Sequence, residues 1–159
     1  MSISAVCVLK NENIYGIVNF RQTLNPLSDS TQVSGSILGL EAGLHGFHIH
    51  TYGDLSNGCD SAGPHFNPFK KTHGGLYSEE RHVGDFGNLE SKGKTIPVNF
   101  NFFVKDLSLV GAYSIIGRSV IVHADRDDLG KGGHPLSIET GNSGARVVCG
   151  VIGISSKTA

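Results

Sequence analysis

Short segments with strand-like patterning, each bounded by turn-forming residues, limit this chain to an all-β fold. Alternating or apolar runs occupy residues 5–9, 14–20, 32–40, 46–50, 85–89, 95–103, 114–123 and 146–154. Gly, Asn and Ser cluster between these runs, and no intervening stretch has the helical period that crossovers between parallel strands require. About eight strands spaced in this way predict an antiparallel sandwich or barrel.

The composition agrees with this fold class. The chain contains 22 Gly, one Met and no Trp, which favours turns and strands over long helices. Its 159 residues show no compositional break that would mark a linker. We therefore expect a single domain, residues 1–159, that is large enough to bury a core.

Charge and hydropathy limit the classes of partner that this chain could bind. The formal net charge is -1 and the basic residues do not cluster, which argues against nucleic acid or a polybasic contact with a membrane. No stretch reaches the roughly 18 apolar residues that a spanning helix needs, and residues 1–10 resemble a strand rather than a signal peptide. These observations predict a soluble, cytoplasmic protein that acts on a small diffusible substrate.

Two long polar stretches, residues 51–81 and 124–145, interrupt the strand pattern. Loops beyond about 12 to 15 residues are uncommon in compact domains and are usually functional or disordered. Each of these begins directly after a strand that ends in histidine, at His50 and at His123. We favour functional loops, with disorder as the alternative.

Histidines near these strand ends have the spacing of metal ligands. His48 and His50 lie two apart, so the period of a strand directs both imidazoles to one face while Phe47 and Ile49 point to the other. A lone pair of this kind is more often an ordinary surface or core feature. His123 ends another strand and could face the pair, which would give copper three or four nitrogen ligands with an open position.

A second set of donors lies in and just beyond the first long loop. His65, His73, His82 and Asp85 offer three imidazoles and a carboxylate, a combination that suits tetrahedral zinc. Zinc would also explain how so polar a loop could be ordered, because binding free energy can become folding free energy. The alternative is a set of unrelated, solvent-exposed side chains.

Cysteine usage leaves two interpretations open. Cys7, Cys59 and Cys149 are too few for a disulfide scaffold and lack the spacing of a zinc ribbon. A reducing cytosol favours three buried thiols, whereas one bridge and one free thiol is also compatible with the count.

The chain closely resembles the Cu/Zn superoxide dismutase family along nearly its whole length. Most of the resemblance lies in Gly-Phe-His-Ile-His-Thr-Tyr-Gly-Asp at residues 46–54 and Gly-Asn-Ser-Gly-Ala-Arg-Val-Val-Cys-Gly at residues 141–150. Residues 63–68, 73–75, 81–85 and 127–133 match further family segments in order and spacing. The resemblance implies an eight-stranded, antiparallel Greek-key barrel of the immunoglobulin-like sandwich type, with two long functional loops.

The resemblance also implies a set of metal ligands. Copper would be bound by His48, His50, His65 and His123, and zinc by His65, His73, His82 and Asp85, so that His65 serves both metals. Asp127 matches a carboxylate that accepts hydrogen bonds from His48 and His73 and so orients one ligand of each metal. Cys59 and Cys149 match the family's disulfide, which leaves Cys7 as a buried thiol.

The implied activity is the disproportionation of superoxide to dioxygen and hydrogen peroxide, through alternating reduction and reoxidation of copper, with zinc structural. Arg146 matches an arginine that attracts and orients the anion, and His65 is expected to exchange a proton. The resemblance further implies maturation by a copper chaperone and a homodimer with contact segments at residues 52–53, 116–117 and 151–154. A copper-delivery or storage protein and a catalytically silent homologue are the alternatives, disfavoured because every ligand position and Arg146 are retained.

Departures from the family are concentrated in the second long loop. Pro135 and Leu136 stand where many relatives have acidic residues, and Glu139 stands where they have a lysine. We therefore expect an altered salt dependence without loss of electrostatic guidance, because Lys131 and Arg146 are retained. His45 is predicted to be structural, and His134 has no predicted role.

Overall fold

The computed structural model describes residues 1–25 and 30–157. It contains nine strands, one short helix and a single 3-10 turn at Asp60–Ala62. The strands are β1 Ser2–Lys10, β2 Tyr15–Thr23, β3 Ser30–Leu38, β4 Gly43–His50, β5 Ser56–Cys59, β6 Asp85–Ser91, β7 Val98–Lys105, β8 Ser119–His123 and β9 Arg146–Ile154, and the helix is α1 Ser137–Thr140.

Eight of the strands form one antiparallel sheet that closes into a barrel. Their order is β6-β4-β8-β9-β1-β2-β3-β7, and the two terminal strands, β6 and β7, contact each other across the remaining gap. Crossovers bring β4 beside β8 and β3 beside β7, as Greek-key connections do. The predicted all-β class and eight-stranded barrel are confirmed.

The barrel core follows from the alternation seen in the sequence. Inward-facing apolar side chains from all eight strands form one buried cluster, in which Phe47 makes edge-on contacts with Phe86 and Phe100 at centroid distances of 5.5 and 5.3 Å. Cys7 is completely buried in this cluster, and burial raises the pKa of its thiol to about 12. This thiol is therefore a packing group rather than a reactive one.

The structure corrects several strand boundaries. The run predicted from residue 95 begins as a strand only at Val98, after Pro97, which has no amide hydrogen to donate to a ladder. The run predicted from residue 114 begins at Ser119, because a turn at residues 116–117, with Gly117 at φ 87°, precedes the strand. The sequence analysis also missed the short β5 and α1, which lie inside the two long loops.

The pairing of β4 with β8 positions the candidate ligands. His48 pairs with Ile121 and His50 with Ser119, so the histidine pair and His123 lie on neighbouring strands. Register shifts occur between Gly46 and His48 and between Val122 and His123. Such bulges bend a strand and redirect its side chains.

Within the described residues, no helix has the length and hydrophobicity needed to cross a membrane.

Gly150 should be essential for the packing of β9 against β1. A Cβ at this position would clash with the carbonyl oxygen of Val8 and lie 2.7 Å from Cys7 Sγ. Gly150→Ala is therefore expected to lower the free energy of unfolding by about 1–3 kcal/mol, as overpacking generally does. Gly153→Ala is the matched control in the same strand, because a Cβ there has no neighbour within 4 Å. Urea unfolding at equal metal content should separate the two variants, and equal stability would contradict this packing argument.

Candidate metal centre

Seven buried polar side chains converge where β4, β8 and the two long loops meet. Each is at most 5% exposed. The ring of His65 lies at their centre, with centroid distances of 4.0 to 6.1 Å to the five other imidazoles. The members are His48, His50, His65, His73, His82, Asp85 and His123.

Hydrogen bonds fix the tautomers of His50 and His123. His50 Nδ1 donates to the carbonyl oxygen of Gly63 at 2.7 Å, and His123 Nδ1 donates to that of Gly144 at 3.1 Å. In the neutral rings the proton is therefore on Nδ1, and Nε2 carries a lone pair. The two Nε2 atoms lie 3.3 Å apart. Two lone pairs at this distance are not a hydrogen bond and instead favour a cation between them.

Asp127 fixes the tautomers of two further rings from opposite sides. It is completely buried; its Oδ2 accepts a bond from His48 Nε2 at 2.6 Å, and its Oδ1 accepts one from His73 Nε2 at 2.8 Å. In the neutral rings the Nδ1 atoms therefore carry lone pairs. His48 Nδ1 and His65 Nε2 have no hydrogen-bond partner among the described residues, whereas His73 Nδ1 lies 3.0 Å from Asp85 Oδ1. Buried polar atoms without partners are rare and indicate a missing ligand.

Asp85 collects three Nδ1 atoms around one oxygen. Its Oδ1 lies 3.0, 3.0 and 3.1 Å from Nδ1 of His65, His73 and His82. Its Oδ2 accepts the backbone N–H groups of Gly74 and His82 at 3.0 and 2.8 Å. Burial by itself would raise the pKa of this carboxyl group, but bonding to the imidazoles holds it well below its usual range.

Two sets of donor atoms follow from these contacts. Within each set that the structure brings together, the donor atoms lie within 4.8 Å of one another: one set is His48, His50, His65 and His123, and the other joins His65, His73 and Asp85 with His48. His82 lies beside the second group, because its Nδ1 is 3.3 Å from His65 Nδ1 and 3.1 Å from Asp85 Oδ1. His48 belongs to both groups, and because its Nε2 donates to Asp127, only its Nδ1 carries a lone pair.

The protonation states suit cation binding. Burial, reinforced by the neighbouring imidazoles, holds the pKa of His48 and His50 well below its usual range and lowers that of His65. These rings are therefore neutral ligands near neutral pH. His73 differs: burial would lower its pKa, but the carboxylates of Asp127 and Asp85 raise it to about 9. A proton there would have to leave when a metal binds.

Comparison with known proteins establishes the family. The model of the family described as "Copper/zinc superoxide dismutase (SODC)" matches residues 14–152. The chain belongs to the copper/zinc superoxide dismutase family. It is 50% identical over 159 residues to the "Superoxide dismutase [Cu-Zn]" of Onchocerca volvulus, with 98% of this chain and 99% of the relative covered. A crystal structure of the clock protein EA4 superposes with a TM-score of 0.89 at 44% identity, over 96% of this chain and 94% of that one.

The metals of this superoxide dismutase are copper and zinc. The donor chemistry fits them, because an all-imidazole set suits copper and a set of three imidazoles and one carboxylate suits tetrahedral zinc. Every predicted ligand except His82 lies in one of the two groups of donor atoms, and the assignment of these residues to the two metals stays a prediction. His45, predicted to be structural, contacts the carbonyl oxygens of His123 and Glu41 through its two ring nitrogens at 2.8 and 3.0 Å.

The predicted disulfide between Cys59 and Cys149 is confirmed, with a Cα–Cα distance of 5.7 Å. It joins the first long loop to β9 across 90 residues of sequence, a constraint worth about 4–5 kcal/mol in the chain-entropy model. Arg146 also links β9 to the first long loop. Its guanidinium donates to the carbonyl oxygens of Cys59 and Gly63, both at 2.8 Å, and Gly63 also accepts from His50.

Other residues of the centre escaped the sequence analysis. The carbonyl oxygens of Gly63 and Gly144 fix two ring tautomers, and Asn88 bonds to the backbone of Asp127. Backbone carbonyls carry no sequence signal, and nothing in the pattern of β6 distinguishes Asn88. His134 accepts the Leu136 N–H at Nδ1 with a length of 3.1 Å, a contact within its own loop.

His123 should titrate far below an ordinary histidine in the metal-free protein. Burial lowers its pKa to about 4, with His65 and Arg146 adding to the effect. Because the unfolded chain takes up this proton near pH 6.5, stability contributed by neutral His123 is present above that pH and is lost as the pH falls toward 4. Proton NMR of the imidazole, folded and in urea, measures both values. A folded-state midpoint near 6.5 would contradict the burial argument.

Proposed function

We propose that the protein disproportionates superoxide at a centre in which one imidazole, that of His65, joins a copper set to a zinc set. The observation that carries this proposal is the position of His65 Nε2 and Nδ1. Nε2 is buried and has no partner in the part of the chain that the structure describes, while Nδ1 lies 3.0 Å from Asp85 Oδ1 and 3.3 Å from His82 Nδ1. Each ring nitrogen thus faces a different donor set.

The ligands follow from the lone pairs. Copper is assigned to His48 Nδ1 and to Nε2 of His50, His65 and His123, and zinc to Nδ1 of His65, His73 and His82 with Asp85 Oδ1. Bound copper supplies a change of oxidation state, whereas zinc is redox-inert and has a structural role. His65 Nε2, a buried nitrogen without a partner among the described residues, is assigned the role of holding and releasing a proton.

Arg146 is assigned the role of attracting and orienting the anion. The backbone carbonyls of Cys59 and Gly63 immobilise its guanidinium, and β9 pairs it with His123 on β8. Its charge contributes to the low pKa of His123, and the pairing of Arg146 with His123 supports a cation close to the proposed copper set. A permanent, oriented cation at this position raises the local concentration of a small anion.

The proximity of the three predicted contact segments supports the proposed homodimer. Gly53 packs closely against Gly117 and Val151. A Cβ added to Gly53 would clash with the Gly117 carbonyl oxygen and lie 3.2 Å from a Val151 methyl group. Tyr52, which precedes Gly53, is 56% exposed, and Ile154, at the end of the segment that begins with Val151, is 75% exposed. The three contact segments predicted from the resemblance thus include neighbours in space. The copper chaperone and the cytoplasmic location stay predictions.

One experiment tests the proposed function directly. Metal analysis of the purified protein, combined with a superoxide-decay assay, should give one copper and one zinc per chain together with rapid decay. Bound copper without turnover would refute the proposal and indicate copper storage or delivery.

Arg146→Glu should slow catalysis without removing metal. Charge reversal beside the copper set is expected to lower the second-order rate constant at least about tenfold, the lower end of electrostatic steering effects. Arg21→Glu on the exposed side of β2 causes the same change in net charge and is the matched control. Stopped-flow measurement at equal metal content compares them, and equal rates for both variants would exclude Arg146 from the mechanism.

Glu139 should weaken guidance of the anion. Glu139 lines a cleft together with His65, His82 and Lys71, and we expect the negative charge of Glu139 to oppose an approaching anion there. Glu139→Lys is expected to raise the rate about twofold or more at low ionic strength, and the gain should shrink above 0.1 M salt, where the Debye length is about 10 Å. Glu12→Lys, at an exposed position outside this cleft, is the control. Superimposable salt curves for wild type and Glu139→Lys would contradict this role.

A further inference from the structure

Asn88 captures the main chain of Asp127 with both ends of its side-chain amide. Its Oδ1 accepts the Asp127 N–H at 2.7 Å, and its Nδ2 donates to the Asp127 carbonyl at 2.9 Å. This is the donor and acceptor pair that a neighbouring strand would offer. It is supplied by a single side chain on β6, a terminal strand of the sheet.

The captured residue is the one on which both metal sets converge. The Asp127 carboxylate bonds to His48 Nε2 on β4 and to His73 Nε2 in the first long loop, while its own backbone lies in the second long loop. One further bond, from Leu129 N–H to Asp127 Oδ1 at 2.7 Å, holds the carboxylate locally. The position of the Asp127 backbone therefore sets where two rings, one from each set, can point.

We infer that Asn88 is a positioning residue for both metals, acting through Asp127. This inference rests on the proposed ligand sets and adds to them a residue that contacts no metal. Asn88 is half-buried and lies three residues after Asp85, so β6 carries one zinc ligand directly and orients two further imidazoles at a distance. Contacts beyond the ligands commonly alter metal affinity by about 10- to 100-fold.

The clamp that the Asn88 side-chain amide forms on the Asp127 backbone, through these two hydrogen bonds, requires an asparagine. Aspartate has almost the same shape but only acceptor oxygens, so it would lose the bond to the Asp127 carbonyl and place two acceptors in contact. Alanine would remove both bonds. Asn88→Asp thus breaks the clamp with little change in side-chain volume, which makes it the more informative variant if Asn88→Ala folds poorly.

Asn11 provides a matched control. Its side-chain amide also bonds only to backbone: Oδ1 accepts the N–H groups of Asn13 and Ile14 at 2.9 and 2.8 Å, and Nδ2 donates to the Val147 carbonyl at 2.8 Å. None of these bonds involves Asp127 or a ligand. Asn11→Ala therefore reports what the loss of a stabilising amide does by itself.

The experiment measures copper and zinc dissociation constants by competition with a chelator, together with the visible spectrum of the protein carrying Co(II) in place of zinc. Asn88→Asp and Asn88→Ala are expected to weaken binding of both metals by about 10- to 100-fold and to shift the Co(II) bands. Asn11→Ala should leave both constants within about twofold of wild type. Wild-type affinities in both Asn88 variants, or equal weakening by Asn11→Ala, would overturn the inference.

A double-mutant cycle tests the route of the effect. If Asn88 acts through Asp127, adding Asn88→Ala to Asp127→Ala should not weaken the binding of either metal further. The losses of binding free energy in the two single variants are then non-additive. Fully additive losses would overturn the proposed route. Failure of the proposed function is visible separately, because wild-type protein would then fail to bind copper and zinc or to accelerate superoxide decay.

Discussion

Repulsion among unprotonated nitrogen atoms in a buried site is the constraint on which the rest of this structure depends. Nε2 of His50 and His123 face each other at 3.3 Å, and the single N–H group of each ring, at Nδ1, donates a hydrogen bond to a backbone carbonyl. Such an arrangement is unfavourable unless a cation occupies the space between the lone pairs. Metal binding is therefore expected to be coupled to the ordering of the two long loops.

The loops are fastened to the barrel at points that also orient ligands. The disulfide to Cys149 and the Arg146 guanidinium fix the first loop near Cys59, and Gly63 in the same loop fixes the His50 tautomer. Asp127 and Asn88 fix the second loop against β6 and orient His48 and His73. Because the same bonds stabilise the fold and aim the imidazoles, stability and metal affinity are expected to be coupled in this protein.

Local patterning predicted the barrel strands well where side-chain alternation decides, as in β1 and β2, whose residues alternate between the core and the surface. It failed at the start of β7 and β8. There Pro97 and the turn at Gly117 delay the strand, although the preceding residues have a strand-like pattern. It also missed β5, whose four residues Ser-Asn-Gly-Cys have no strand-like pattern. Such a short strand forms through contacts that are remote in sequence.

The sequence by itself determined which residue types were available: the histidine pair on β4, the three imidazoles and carboxylate near the first long loop, and motifs specific enough to indicate the family. Spacing along a strand decides only which face a side chain occupies. The tertiary structure decided which nitrogen of each ring points inward, because that depends on partners far away in sequence, such as Gly144 for His123 and Asp127 for His48. It also decided the role of Asn88, whose hydrogen bonds span 39 residues and exist only once the second long loop lies against β6.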